Sequence, residues 1–343
     1  MKVNLVSDTI TKPTAEMLKV MMDAKVGDDM YREDETTIAL EQKIAGMFGM
    51  EAAMFFPSGT MANQTGIKLH TQPGDQLICD KDAHIFHYES GGVSFNSGVS
   101  CRMVDGDRGT IKAHQVAEVI NDPNSFHSPM TTLVSLENTA NKGGGTCYDF
   151  QEILKIREVC DSHNLKLHLD GARLWNALVA KGESTTQYGE VFDSISVCLS
   201  KGLGCPVGSV LLGTEEFINR AYRVRKILGG AMRQIGYLTS AGIYALDNNI
   251  ARLSEDHRRA KELEATLASL PFVKSITPVE TNIIIFDLEE GYSNTAFIEA
   301  LKGYNIFISP MGAKLRMVTH LDYTQEMHEY VLDCLAKLEL VTQ

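Results

Sequence analysis

Apolar residues recur with helical spacing in some stretches of the chain and form short continuous runs in others. Residues 14–24 place Met17, Leu18, Met21 and Met22 on one side of a short helix. Residues 36–49 predict a second helix, entered through Thr36 or Thr37, with Ile38, Leu40, Ile44 and Phe48 as its apolar positions. The run 52–56 reads as a strand, Pro57-Ser58-Gly59-Thr60 as a tight turn, and Met61 to His70 as a helix. A strand over 76–79 precedes Asp82-Ala83-His84. Residues 131–136 are rich in β-formers and end at Glu137-Asn138-Thr139. Asp149, with Glu152 three positions on, has the form of a capping box and predicts a helix to about His163. Strands over 166–169 and 194–199 end at Asp170-Gly171 and Ser200-Lys201-Gly202, with a helix over 172–181 between them. From Arg233 to Leu270 there is no proline, which predicts one long helix or two broken near Ser254. Beyond Pro271 the pattern gives a strand over 282–286, a helix over 295–302, paired strands within 306–320, and a last amphipathic helix. Met327, Val331, Cys334, Leu335 and Leu338 share its core face.

Strands separated by helices imply βαβ units and a parallel sheet. Right-handed crossovers put the C-terminal strand ends on one edge, where open α/β sheets bind ligands. Glu137, Asp170 and Lys201 each fall at such an end, so three strands are expected to deliver polar groups to one cleft. A boundary near residue 250 divides the chain into a large domain, 1–250, and a small C-terminal domain, 251–343.

The bulk composition narrows the class. With 44% hydrophobic and 22% charged residues the 343-residue chain can bury an ordinary core. A formal charge of −12, unbroken by any run of Lys and Arg, argues against nucleic acid as a partner. Seven scattered cysteines without a C-x-x-C predict reduced thiols, no disulfide framework and no metal site, hence a cytoplasmic protein. No apolar stretch approaches the roughly 18 residues of a membrane span, and Met1–Asp8 has no signal-type core.

Particular residues then carry chemistry. A lysine at a buried strand end is a Schiff-base former, because desolvation favours the neutral, nucleophilic amine. Lys201 occupies such a place, flanked by Ser200 and by Gly202 and Gly204, although a lone S-K-G is more often an exposed loop. Asp170 can pair with a protonated pyridine nitrogen, or simply cap the next helix. Arg173 suits a phosphate, a carboxylate or a phenolate, or a surface ion pair. Ser58-Gly59-Thr60 opens a helix whose free N–H groups favour an anion, though serine is commonly a plain cap. His84 can stack on an aromatic ring and act as a base, and His127 is a second candidate.

In order along the chain these markers form one set. They are Ser7-Asp8-Thr9, Gly27-Asp28-Asp29 with Tyr31, Phe56 to Asn63, Ala83-His84-Ile85, Leu136 to Thr139, Leu167 to Arg173, Leu199 to Gly204, Gly229 to Gln234 and Leu315 to His320. The set resembles the low-specificity L-threonine aldolases, pyridoxal 5'-phosphate enzymes of the aspartate aminotransferase fold. The resemblance implies an α/β protein, with a mostly parallel seven-stranded sheet flanked by helices and a smaller α+β C-terminal domain. It implies that Lys201 carries the cofactor, that Asp170 binds its ring nitrogen, that Ser58, Gly59, Thr60 and Ser200 help hold it, and that His84 stacks on it. Ser7, Tyr31, Arg173 and Arg316 would face the substrate, with His84 or His127 as base. Arg233 would approach a cofactor phosphate across a subunit contact in a homotetramer, and an N-terminal segment would reach the site. The implied reaction cleaves L-threonine, L-allo-threonine and related β-hydroxy-α-amino acids to glycine and an aldehyde. Arg32, Glu35 and Ala140 depart from the family's usual glycine, proline and histidine, at places expected near the substrate mouth or a subunit contact. Alternatives on the same scaffold are a β-eliminating lyase, an aminotransferase or a cofactor-binding regulator without catalysis. A nicotinamide-binding protein is disfavoured, because no G-x-G-x-x-G follows an early strand.

Overall fold

The computed structural model describes residues 1–340. Its main sheet has seven strands in the spatial order Ala52–Phe56, Ser209–Gly213, Ser194–Cys198, Lys166–Gly171, Thr131–Glu137, Gln76–Asp80 and Ser100–Val104. Ser209–Gly213 runs antiparallel to both neighbours, and the other paired strands are parallel. Thr131–Glu137, Lys166–Gly171 and Ser194–Cys198 are buried along nearly their whole length. That is why they read as continuous apolar runs rather than alternations.

The expected helices form, with local corrections. The helix Glu35–Phe48 is capped by Asp34, which accepts from Thr37 N, rather than by Thr36 or Thr37. On the helix Ala15–Met22 only Met17 is fully buried, while Leu18 and Met22 are exposed. Asp149 caps Phe150–Ser162 through Gln151 N, but Glu152 does not close a capping box, because its carboxylate accepts from Ala113 N at 2.8 Å. The stretch after Arg233 is two helices, Gly236–Asn248 and Leu253–Ala268, and the break lies at residues 249–252.

A second, antiparallel sheet is built from Ser309–Met311, Lys314–Val318, Ile283–Leu288 and Val273–Ile276, in that order. Its core gathers Phe286, Phe297, Leu315, Val331 and Leu335 with Leu263 and Leu267. Val3 and Leu5 pack in the same cluster, and Val3–Asn4 pairs in parallel with Ile306–Phe307. The first residues are thus anchored on the small sheet, and the chain then runs on through Ser7 and Asp8 into the cleft between the two sheets.

Candidate active site

Every parallel strand that borders the cleft ends in a polar residue or a turn. Phe56 leads through Pro57 to Ser58, whose hydroxyl accepts from Met61 N and starts the helix Gly59–His70. The first N–H groups of that helix are left for an anion. A Cβ added at Gly59 would meet Cys198 Sγ at 2.8 Å, so only glycine lets the turn lie this close to the neighbouring strand end. Glu137 and Asp170 stand side by side in register on adjacent strands. Lys201 follows the strand Ser194–Cys198 and places Nζ 3.2 Å from Cys198 Sγ.

Two confluent cavities share Thr9, His84, Ala172 and Lys201. The inner one, of about 340 Å³, is lined by Ser58, Gly59, Thr60, Asn63, Asp170 and Ser200 among others. The outer one, of about 700 Å³, adds Ser7, Glu137, Asn141, Lys142, Arg173 and Arg316. Of the residues singled out from the sequence, the structure brings together Lys201, Asp170, Ser58, Gly59, Thr60, Ser200, His84, Ser7, Arg173 and Arg316. It does not bring Tyr31, His127 or Arg233 to this cleft. Tyr31 is 72% exposed, His127 lies exposed on a loop with its ring against Phe126, and Arg233 pairs with Asp28 at 2.9 Å.

Electrostatics sort the two arginines. Arg173 is buried and makes a two-pronged ion pair with Asp8, Nε to Oδ2 and Nη2 to Oδ1, both 2.7 Å. Burial pushes the Asp8 carboxyl up, but the Arg173 charge and hydrogen bonds outweigh it and bring its pKa down to about 2. Arg173 is therefore already neutralised. Arg316 has no carboxylate partner among the described residues; it donates to Asn141 Oδ1 and Val6 O, each at 3.0 Å. Burial and the nearby Arg173 charge both press its pKa downward, as expected for a cation that lacks an anion.

Lys201 departs from the simple expectation. Burial alone would depress its ammonium. Cys198 opposes this, Arg173 reinforces it, and Asp170 and Asp8 oppose it again, so that the net pKa is raised. A cationic ring nitrogen paired with Asp170 would take up one of the charges that hold the ammonium, and would favour the neutral amine. Glu137 shows the opposite balance: burial, then the neighbouring Asp170 charge, push it up to about 7 even though it accepts from the backbone N–H groups of His84 and Asn141.

Asp170 is held by neutral donors. Its Oδ1 accepts from Ala172 N and its Oδ2 from Asn63 Nδ2, and it lines the inner cavity beside Lys201 and His84. An amine donor, a carboxylate held by neutral donors and a glycine-opened helix N-terminus in one 340 Å³ cavity match the three functions of a pyridine aldehyde phosphate.

Residues 4–290 match the family described as beta-eliminating lyase. The probable low-specificity L-threonine aldolase 2 of Arabidopsis thaliana is 40% identical, covering 98% of this chain and 97% of that protein. The low specificity L-threonine aldolase of Escherichia coli strain K12 is also 40% identical, covering 94% of this chain and 95% of its own. This chain belongs to the low-specificity L-threonine aldolase family. The fold agrees: a Leishmania major threonine aldolase structure superposes with a TM-score of 0.85 at 21% identity, covering 98% of this chain and 99% of that one. Membership in this pyridoxal-phosphate-dependent family implies that cofactor.

The departures from the threonine aldolase pattern now have local causes. Arg32 adopts a left-handed backbone, φ 59°, where glycine is the unstrained choice. It is held there by an ion pair to the buried Glu41 at 2.6 Å and lies over the Tyr222 ring. Glu35 is the first residue of its helix, where proline fits because the N–H is unused and glutamate fits because of the helix dipole. Ala140 does not border the substrate mouth. It is buried against the loop at Gly109, whose added Cβ would meet the Ala140 Cβ at 2.7 Å. A larger side chain has no room at Ala140 without moving that loop.

Asp8, Asn63, Glu89, Glu137 and Asn141 are site residues to which no role was assigned from sequence. Asp8 and Glu137 lay inside marker motifs, yet their partners are set by folding: Asp8 meets a residue 165 positions away.

Proposed function

We propose that the protein cleaves L-threonine, L-allo-threonine and related β-hydroxy-α-amino acids between Cα and Cβ, yielding glycine and an aldehyde. The observation that carries this is the single cavity in which Lys201, Asp170 and the helix start at Gly59 converge, opening onto Arg316 and His84. Lys201 would hold the cofactor's aldehyde carbon, Asp170 its ring nitrogen, and Ser58, Gly59, Thr60 and Ser200 its phosphate end. Bound there, pyridoxal phosphate supplies a cationic ring that accepts the electron pair released when the Cα–Cβ bond breaks.

The chain's own residues do the rest. Arg316, lacking a carboxylate of its own, takes the substrate carboxylate, with the Ser7 hydroxyl beside it. Fixing that carboxylate restricts rotation of the substrate about its N–Cα bond and so decides which bond at Cα is presented for cleavage. Arg173, tied to Asp8, sets the floor of this pocket and holds Asn141 toward Arg316. His84 accepts the β-hydroxyl proton. We assign Arg233 and His127 to a neighbouring subunit's cleft in a homotetramer, since neither lines the cleft of its own chain.

Incubating the purified protein with L-threonine tests the reaction: glycine and acetaldehyde should appear in equal amounts. A 2-oxo acid with ammonia would instead indicate β-elimination. Replacing Arg316 by alanine should raise KM for threonine about 10- to 100-fold, the loss of a charge-assisted hydrogen-bonded pair worth about 1.5–3 kcal/mol. Steady-state kinetics would show this directly, and Arg316→Lys should recover part of it.

A further inference from the structure

Behind the cleft lies a buried polar cluster that neither the carboxylate clamp nor the cofactor residues account for. Glu89 is almost fully buried, accepts hydrogen bonds from two side-chain amides and faces the ring of His84. Gln64 Nε2 donates to its Oε2 at 2.6 Å, Asn63 Nδ2 to its Oε1 at 3.0 Å, and His84 Nδ1 faces the same Oε1 at 3.0 Å. The Asn63 amide donates its other hydrogen to Asp170 Oδ2 at 2.9 Å. On its far side Asn63 Oδ1 accepts from Ser196 Oγ. One amide thus joins the carboxylate that would face the ring nitrogen to the carboxylate that holds His84.

We propose that Glu89 is a positioning residue for His84, fixing the ring in the Nδ1–H form so that Nε2 faces the cleft as proton acceptor, and that Asn63 ties this pair to Asp170 through its two amide hydrogens. The chemistry follows from the donor count. An ionised carboxylate can only accept, so the nitrogen facing it carries the proton, and the other nitrogen keeps its lone pair. His84 Nε2 has no hydrogen-bond partner among the described residues, and the ring borders both cavities. Asn63 stands between the two carboxylates and gives each of them one neutral amide donor in a buried place.

The groups that face His84 all bear on its charge. Burial lowers its pKa; the hydrogen bond to Glu89, then the charges of Asp170, Glu89 and Glu137, raise it, and the net direction is upward. Asp82, Lys142 and Lys201 line the same outer cavity, and the Tyr88 ring lies 5.5 Å from that of His84. Glu89 is the one among them that also selects the tautomer.

This inference rests on His84 acting as the base in aldol cleavage, and its test is kept separate from that reading. Nitrogen-15 NMR of the histidine rings in cofactor-free protein should show His84 with its proton on Nδ1 and a titration above that of an ordinary histidine. In Glu89→Gln the titration should move down, and Glu89→Asp, which keeps the charge, should retain most of it. In the loaded enzyme Glu89→Gln should lower kcat at least about tenfold, within the range of general-base catalysis, with the pyridoxal phosphate dissociation constant changed less than about threefold. An Nε2–H tautomer in the wild type overturns the proposal, even if no variant folds. So does a folded Glu89→Gln whose His84 titration is unmoved, or whose loss lies wholly in cofactor affinity. If the wild type makes no glycine and aldehyde, the aldolase reading fails instead, and the NMR result still stands or falls by itself.

Discussion

Lys201→Ala protein is expected to lose turnover of threonine by more than about ten-thousand-fold while remaining folded. The scale is that of removing a covalent nucleophile, which no neighbouring group replaces. Folding should survive because Lys201 lines the two cavities rather than the core, and its one side-chain hydrogen bond is to the Cys198 thiol, 3.2 Å away. Because Cys198, Asp170 and Asp8 on balance hold its ammonium, the cofactor-free variant should melt slightly below the wild type while still unfolding cooperatively. Circular dichroism on heating, beside an assay of acetaldehyde, checks both halves. Normal turnover in this variant would dismiss Lys201 from the reaction.

Asp170→Asn is expected to lower kcat by about 10²- to 10³-fold, the usual cost of removing one preorganised charge that stabilises the transition state. The amide keeps the shape but no longer holds the ring nitrogen cationic. It also places an NH2 group where Asn63 Nδ2 now donates at 2.9 Å, so either that contact or the one from Ala172 N at 3.1 Å must be lost. Affinity for pyridoxal phosphate should weaken as well. Absorbance titration with the cofactor and steady-state rates in parallel would separate the two losses. A variant with wild-type kcat would show that the carboxylate serves only as the acceptor for Ala172 N and the Asn63 amide.

The contrast between these two residues and the rest shows what a sequence can disclose. Asp170 and Lys201 were legible because each ends a short apolar run, and parallel strands put such ends on one edge. The seven-stranded sheet and the small second sheet agree with the architecture implied by the marker motifs. Ser209–Gly213 was not read as a strand, since five residues after a glycine-rich loop carry no period of their own and are defined by antiparallel pairing on both sides. Ser100–Val104 sits at the sheet edge, largely exposed, and lacks the apolar run of its neighbours.

Within the site, Arg173 is paired with Asp8 whereas Arg316 has only neutral acceptors, and this difference supports the proposal of Arg316 as the carboxylate clamp. Nothing in either motif announces that pair, because it depends on how the first residues run from the small sheet into the cleft. Glu89 stands outside every marker motif, and the role proposed for it comes wholly from the Asn63 and Gln64 amides and the His84 ring that converge on it. The surplus of groups around Lys201 likewise reversed the expectation that burial alone would set its pKa. Periodicity and motif order locate strand ends well; they do not report which charges cancel once those ends meet.

The central claim is that Lys201 holds pyridoxal phosphate covalently. Purified protein loaded with the cofactor should be yellow, borohydride should bleach it, and peptide mapping of the reduced protein should place the adduct on Lys201 alone. A reduced adduct on another lysine, or a colour that borohydride leaves unchanged, would contradict the account.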